Sequence, residues 1–311
     1  MSASNGTIHI GLVGVGKIAR DQHLPATGAS PDYTLTAVAS REGRFEGVPN
    51  YRTLTEMLGG QPNLDAVALC QPPQVRFCAA LEAIEAGRHV FLEKPPGATL
   101  AEVGILVDAA RARGVSLFAS WHSRYAPGVE PARQWLSGRR IRSVAIAWME
   151  DVRQWHPNQA WIWQAGGMGV FDPGINALSI ATHILPPFSL TGATLSVPEN
   201  RQAPIAANLS FADAAGTSIQ AVFDWRQTGP QTWDIRVDTE DGLLVLSKGG
   251  GVLTIDDRPQ PLPPEAEYRG LYDRFAALVR SGTSDVDLNP LIHVADAFLR
   301  GERRTVEAFT D

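Results

Sequence analysis

Near the N-terminus a β-rich run, Ile8-His9-Ile10-Gly11-Leu12-Val13, passes directly into Gly14-Val15-Gly16-Lys17-Ile18-Ala19, a glycine turn that opens a helix. Strand, glycine turn and helix in this order constrain the fold more than any other feature, because a doubly wound α/β sheet begins on them. Each position has a physical task. Gly14 permits the tight turn, Gly16 lets a backbone come close to phosphates, and Ala19 is small enough for the helix to pack against the strand. The helix N-terminus presents free N–H groups to an anion, so the turn, with Lys17 and Ile18 in it, suits the pyrophosphate of a dinucleotide.

Downstream, strand and helix signals alternate as a parallel sheet requires. Residues 34–39 and 65–70 read as strands, residues 75–86 as a helix stopped by Gly87, and His89-Val90-Phe91-Leu92-Glu93 as an apolar strand that delivers Lys94 into Pro95-Pro96. A helix over residues 100–113, closed by Gly114, and a strand over 115–119 complete a first domain, placed at residues 1–120. Beyond it the alternation weakens. Segments 141–148, 206–211, 218–225, 232–238, 243–246 and 252–255 read as an open, mainly antiparallel sheet in a second domain, residues 121–311, with a helix after Asp172 between the two halves. Residues 258–264, with four prolines, read as a loop, and residues 268–280 and 288–301 as amphipathic helices, the C-terminal helix packing back on the first domain. The expected fold class is thus α/β, an N-terminal Rossmann doubly wound parallel sheet followed by an α+β domain.

Composition excludes several functions. Lys and Arg number 27 against 33 Asp and Glu, and the net charge of −6 leaves no basic excess for a nucleic-acid partner. Pairs such as Arg139-Arg140 and Arg303-Arg304 read as solvated faces. No stretch approaches the ~18 apolar residues of a membrane span, and no secretory leader is visible, so a soluble, cytoplasmic protein is expected. Two cysteines, Cys70 and Cys78, imply no disulfide framework, and the seven histidines show no metal-ligand spacing, so no metal is expected.

Glu93-Lys94-Pro95, set downstream of the N-terminal fingerprint, resembles a known family, that of glucose–fructose oxidoreductase and inositol dehydrogenase (Gfo/Idh/MocA). The resemblance covers essentially the whole chain. It implies that Lys94 is carried into an active site and that the Lys94–Pro95 peptide bond is cis. The family also has a Gly-Gly run followed by Asp-x-x-x-His. Here that element reads Gly166-Gly167-Met168-Gly169-Val170-Phe171-Asp172-Pro173-Gly174-Ile175-Asn176, with Asn176 where the histidine is usual. An asparagine takes up no proton near neutral pH, so a histidine-base mechanism does not carry over. Asn176, residues 21–25 and residues 121–124 together most resemble the aldose 1-dehydrogenases acting on D-galactose and L-arabinose.

Oxidation of a sugar at C1 needs a base for the anomeric hydroxyl and stabilisation of the developing alkoxide. Lys94 is the electrostatic partner and Asp172 the first choice as base, with Asn176, four residues on along the same helix face, orienting the hydroxyl. Deprotonated Lys94 is the competing base. Asp172 before Pro173 also has the signature of a helix N-cap. The resemblance places Glu150, His156, His122 and Trp233 in the sugar pocket, where indole faces suit C–H surfaces and polar groups suit hydroxyls. Ser40 and Arg41 end the second strand where NAD-binding chains carry an acid. A hydroxyl and a guanidinium fork suit a 2′-phosphate, so NADP is expected over NAD, although Glu42 is close enough to supply a carboxylate. Glu93 and Lys94 are counted with Gly14, Gly16, Lys17, Ile18, Ser40 and Arg41 in the cofactor site. A cyclitol dehydrogenase and a catalytically silent NADP-binding regulator are the alternatives, and the second-domain sheet can supply a face for a homo-oligomer.

Overall fold

The computed structural model describes residues 6–310. The chain forms two compact units. The first takes the chain as far as Trp121 together with Tyr268–Asp287, and the second takes His122–Glu267 and the chain from Leu288 onward.

In the first unit, β1 (Ile8–Val13), β2 (Tyr33–Ala39), β3 (Asn50–Tyr51), β4 (Ala66–Leu69), β5 (His89–Glu93) and β6 (Leu117–Ser120) form a parallel sheet in the order β3-β2-β1-β4-β5-β6. The order reverses between β1 and β4, and the crevice at such a switch point, beyond the carboxyl ends of the strands, is where open α/β sheets bind ligands. Register aligns those ends: Val13 lies against Ala39 on one side and Leu69 on the other, and Leu69 lies against Leu92. Val13, Leu69, Val90, Leu92, Leu106 and Leu117 belong to one buried core, each side chain contributing about 1.5–3 kcal/mol relative to exposure. Helix Pro73–Glu85 covers this core together with Leu100–Arg113. The latter is started by a capping box, in which Thr99 Oγ1 accepts from Glu102 N and Glu102 Oε2 accepts from Thr99 N, and is ended by left-handed Gly114.

Helix Glu267–Ser281 belongs to this unit from Tyr268 onward. Its apolar stripe explains why. Tyr272 stacks on Phe91 of β5 with ring centroids 5.1 Å apart, and Phe275 stacks on Phe118 of β6 at 6.1 Å.

The second unit is built on a nine-stranded sheet among the described residues. Its strands are β7 (Ile141–Met149), β8 (Phe188–Pro198), β9 (Ala206–Asp213), β10 (Ser218–Asp224), β11 (Thr232–Thr239), β12 (Gly242–Ser247), β13 (Val252–Ile255), β14 (Arg258–Pro259) and β15 (Glu302–Val306), in the order β14-β13-β12-β11-β7-β10-β9-β8-β15. Pairing is antiparallel except where β7 meets β10 and β8 meets β15. On β7, Val144, Ile146 and Trp148 point inward at alternate positions while Ser143 and Ala145 are exposed, the period of a sheet buried on one face. Helix Phe171–Ile184 is buried along almost its whole length. The loop expected over residues 258–264 begins instead as a short strand: Arg258 and Pro259 pair with β13 at the sheet edge, where a proline's missing N–H costs no ladder bond. No helix among the described residues is long and apolar enough to cross a membrane.

Candidate active site

At the β1 tip, Gly14 has φ +92°, a left-handed value natural only to glycine, and its N–H donates to Ala39 O at 2.8 Å. A Cβ there would lie 3.1 Å from Gln71 N at the β4 tip. At Gly16 a Cβ would meet nothing within 4 Å, so this side of the turn opens on free space. That is the room a dinucleotide pyrophosphate needs, and the turn fits one. Lys17 is exposed with its ammonium paired to Asp21, and Ile18 is exposed in the same turn. At the β2 tip, Ser40 N–H donates to Tyr51 O and Ser40 Oγ accepts from Gly43 N at 3.1 Å, which leaves its hydroxyl hydrogen to donate outward. Arg41 and Glu42 beside it are exposed.

At the β5 tip the Lys94–Pro95 bond is cis. Glu93, only 3 % exposed, holds the lysine main chain: its Oε2 accepts from Lys94 N at 2.7 Å, and its Oε1 accepts from Tyr268 Oη at 2.7 Å and from His23 Nε2 at 3.0 Å. The other His23 nitrogen lies 2.7 Å from Tyr272 Oη. Complete burial works against a charged His23 ring, but neighbouring Cys70 and Glu93 outweigh it and raise its pKa to about 10. Arg76, on helix Pro73–Glu85, is also buried, and its guanidinium donates to the carbonyl oxygens of Glu93, Pro95 and Gln71.

The second unit assembles another polar cluster. Glu150, just past β7 and 2 % exposed, accepts from Trp233 Nε1 at 2.8 Å and from Trp225 Nε1 at 3.3 Å. His156 Nε2 lies 3.4 Å from Glu150 Oε1, and His156 Nδ1 lies 3.6 Å from Asp172 Oδ2. The imidazole thus sits between two carboxylates at ion-pair distances. Trp155 leans on Trp233, and Trp148 stacks on the same ring, with centroids 5.0 and 5.9 Å away.

Asp172 is not the N-cap its Asp-Pro signature suggested. The helix starts at Phe171 with Val170 as cap, and Asp172 lies in its first turn. Its N–H donates to Gly169 O at 2.8 Å, and one carboxylate oxygen lies 3.6 Å from His156 Nδ1. Gly169 makes this turn possible: its φ is +54°, and a Cβ would come 2.3 Å from Pro204 O. Asn176 follows on the same helix and is half-buried. His122 Nδ1 lies 2.6 Å from Glu267 Oε2.

Of the residues singled out from sequence, the structure therefore gathers Glu150, His156, Asp172 and Trp233 in the second unit. Those of the fingerprint, Ser40, Arg41, Glu93 and Lys94 stand at the carboxyl ends of β1, β2 and β5 in the first. Sequence reasoning missed Arg76, His23 and Tyr268. Tyr268 reaches Glu93 across 175 residues of chain, a separation at which no local pattern informs.

A Rossmann dinucleotide turn beside a strand-end lysine defines an NAD(P)-dependent oxidoreductase. Residues 8–120 match the oxidoreductase family with an NAD-binding Rossmann fold. Over 305 residues the chain is 47 % identical to a galactose 1-dehydrogenase from Pseudomonas fluorescens, covering 98 % of this chain and 99 % of that protein. A crystal structure of D-galactose-1-dehydrogenase from Rhizobium etli shares 59 % identity with a TM-score of 0.95, covering 99 % of each chain. A 3-ketoreductase from Actinomadura kijaniata, solved with NADP and TDP-benzene, has the same fold, with a TM-score of 0.81 at 21 % identity over 98 % of this chain and 100 % of that one. This chain belongs to the Gfo/Idh/MocA oxidoreductase family and is an enzyme of it.

Proposed function

We propose that the chain is an aldose 1-dehydrogenase that oxidises D-galactose, and L-arabinose with it, at C1 of the pyranose to the aldonolactone, with NADP preferred over NAD. The observation that carries this reading is the end-to-end likeness to galactose 1-dehydrogenases from two bacteria. The two sugars share configuration from C1 to C4 and differ by a hydroxymethyl at C5. One added carbon in a permissive pocket is worth only ~1–3 kcal/mol, so one enzyme can take both.

The first unit, on this reading, holds the dinucleotide at the Gly14–Gly16 turn, and Ser40 and Arg41 receive the 2′-phosphate, for which a hydroxyl and a guanidinium are better partners than for a bare ribose. The bound nicotinamide supplies the hydride acceptor. Asp172 takes the proton of the anomeric hydroxyl, His156 offers that proton a route on to Glu150, and the Lys94 ammonium donates to the oxygen as negative charge develops. Asn176 orients the hydroxyl without exchanging a proton. Trp233 and Trp155 present indole surface to the sugar C–H face. His122 and its partner Glu267 border the sugar, and the reaction takes place in the cytoplasm.

The experiment is absorbance at the NADPH band with purified protein, a panel of aldoses and inositol, each offered with NADP and with NAD. Reduction with galactose and arabinose, faster at low NADP than at equal NAD, is the expected result. Turnover confined to inositol, or silence across the panel with demonstrated NADP binding, would overturn the reading.

A further inference from the structure

We infer that Arg76 is the positioning residue for Lys94, acting through the main chain on both sides of it; the inference rests on the reading of Lys94 as the group that steadies the sugar oxygen. Arg76 is 2 % exposed. One of its terminal nitrogens donates to the carbonyls of both Glu93 and Pro95, the residues before and after the lysine. The peptide planes flanking a residue set the direction of its Cα–Cβ bond. The Glu93 carbonyl lies in the plane that enters Lys94, and the Pro95 carbonyl lies one peptide beyond the plane that leaves it, across a ring that fixes φ; a single nitrogen that holds both therefore restrains where the lysine side chain starts. Glu93 completes the hold by accepting the Lys94 N–H at 2.7 Å.

The other terminal nitrogen extends the linkage. It donates to Gln71 O, and Gln71 N lies 3.1 Å from where a Gly14 Cβ would be. The guanidinium thus ties the lysine loop to the loop that backs the dinucleotide turn. A planar fork reaches these three carbonyls from two separate nitrogens, whereas a lysine ammonium has three donors at a single point. Misplacing a reacting group by about 1 Å can cost on the order of a hundredfold in rate, which is reason enough for a buried guanidinium here.

The test reads Lys94 directly. The chain has three lysines, Lys17, Lys94 and Lys248, so limited acylation of the intact protein followed by peptide mass spectrometry reports each amine separately. Arg76→Gln should change the acylation rate of Lys94 at least about threefold while Lys17 and Lys248 keep theirs, and Arg76→Lys should fall between, since it keeps the charge and three N–H donors but holds them at a single point. In turnover, Arg76→Gln should lower kcat on galactose about a hundredfold with KM nearly unchanged, and should cost little more in a Lys94→Ala background, because a residue that acts only through Lys94 has nothing left to position. An unchanged Lys94 label in folded Arg76→Gln, or a fully additive loss in the double variant, would overturn the inference. Should Arg76→Gln fail to fold, the Arg76→Lys labels decide by the same criterion. If the wild type oxidises no aldose, the functional reading falls, and the labels still decide whether Arg76 positions Lys94.

Discussion

A lysine or an aspartate is common; what makes Lys94 and Asp172 candidates for chemistry is what is done to each. Lys94 leaves a buried strand with its N–H fixed by a buried carboxylate, and Asp172, 4 % exposed, has its N–H satisfied locally and its carboxylate turned to a histidine. Lys94→Ala and Asp172→Ala should each reduce kcat on the order of a hundredfold or more, and Asp172→Ala should retain NADP binding, as titration of protein fluorescence would show. Near-normal turnover in either variant would remove that residue from the mechanism. Arg41→Ala should weaken NADP about tenfold and leave NAD untouched, because only the 2′-phosphate offers a guanidinium fork two oxygens. Equal loss for both cofactors, measured as dissociation constants, would argue that Arg41 serves the adenine or the loop. Lys94 and Arg41 could be singled out from sequence because strand-end motifs are local. Arg76 could not, since one arginine within Pro73-Gln74-Val75-Arg76-Phe77 carries no mark of the three carbonyls it will find.

Elements with a local cause were the readable ones. Helix Leu100–Arg113 has its start in a capping box and its end in a left-handed glycine, and both are written within a few residues of it. β8, eleven residues long, escaped because Phe188-Ser189-Leu190-Thr191-Gly192 mixes apolar and small polar residues around a register shift, which blurs the two-residue period. β15 was masked by its charge: Glu302, Arg303 and Arg304 are all exposed, as an edge strand allows. Helix Glu267–Ser281 shows what an element can carry over a distance, since it brings Tyr268 to Glu93. Tyr268→Phe keeps the ring and removes one donor from a buried carboxylate, so the protein should lose about 1–3 kcal/mol of stability by urea unfolding. A change within a few tenths would mean that the hydroxyl is a bystander and that ring packing alone seats the helix.

For the whole molecule, the class of fold was decided early, because one glycine turn after one strand and the alternation behind it leave few topologies open. Which unit helix Glu267–Ser281 joins was settled by aromatic contacts with β5 and β6, and those only a folded chain displays. The same buried junction should govern how stability depends on pH. His23 is fully buried, and its pKa is raised from 6.5 to about 10 in the folded chain, burial opposing the rise and Cys70 and Glu93 together exceeding it. A group whose pKa is raised on folding binds its proton more tightly in the native state. Its contribution is therefore complete below 6.5 and disappears as pH climbs through about 10, with a limiting slope of about 1.4 kcal/mol per pH across that window. Urea midpoints of the wild type should fall steadily from about pH 6.5 to about pH 10, and His23→Gln, which cannot titrate, should be less stable at the lower pH and show a flatter profile. If the variant retains the full slope, the alkaline loss comes from other groups and His23 is neutral in the folded protein, with Glu93 held by Tyr268 and the Lys94 main chain.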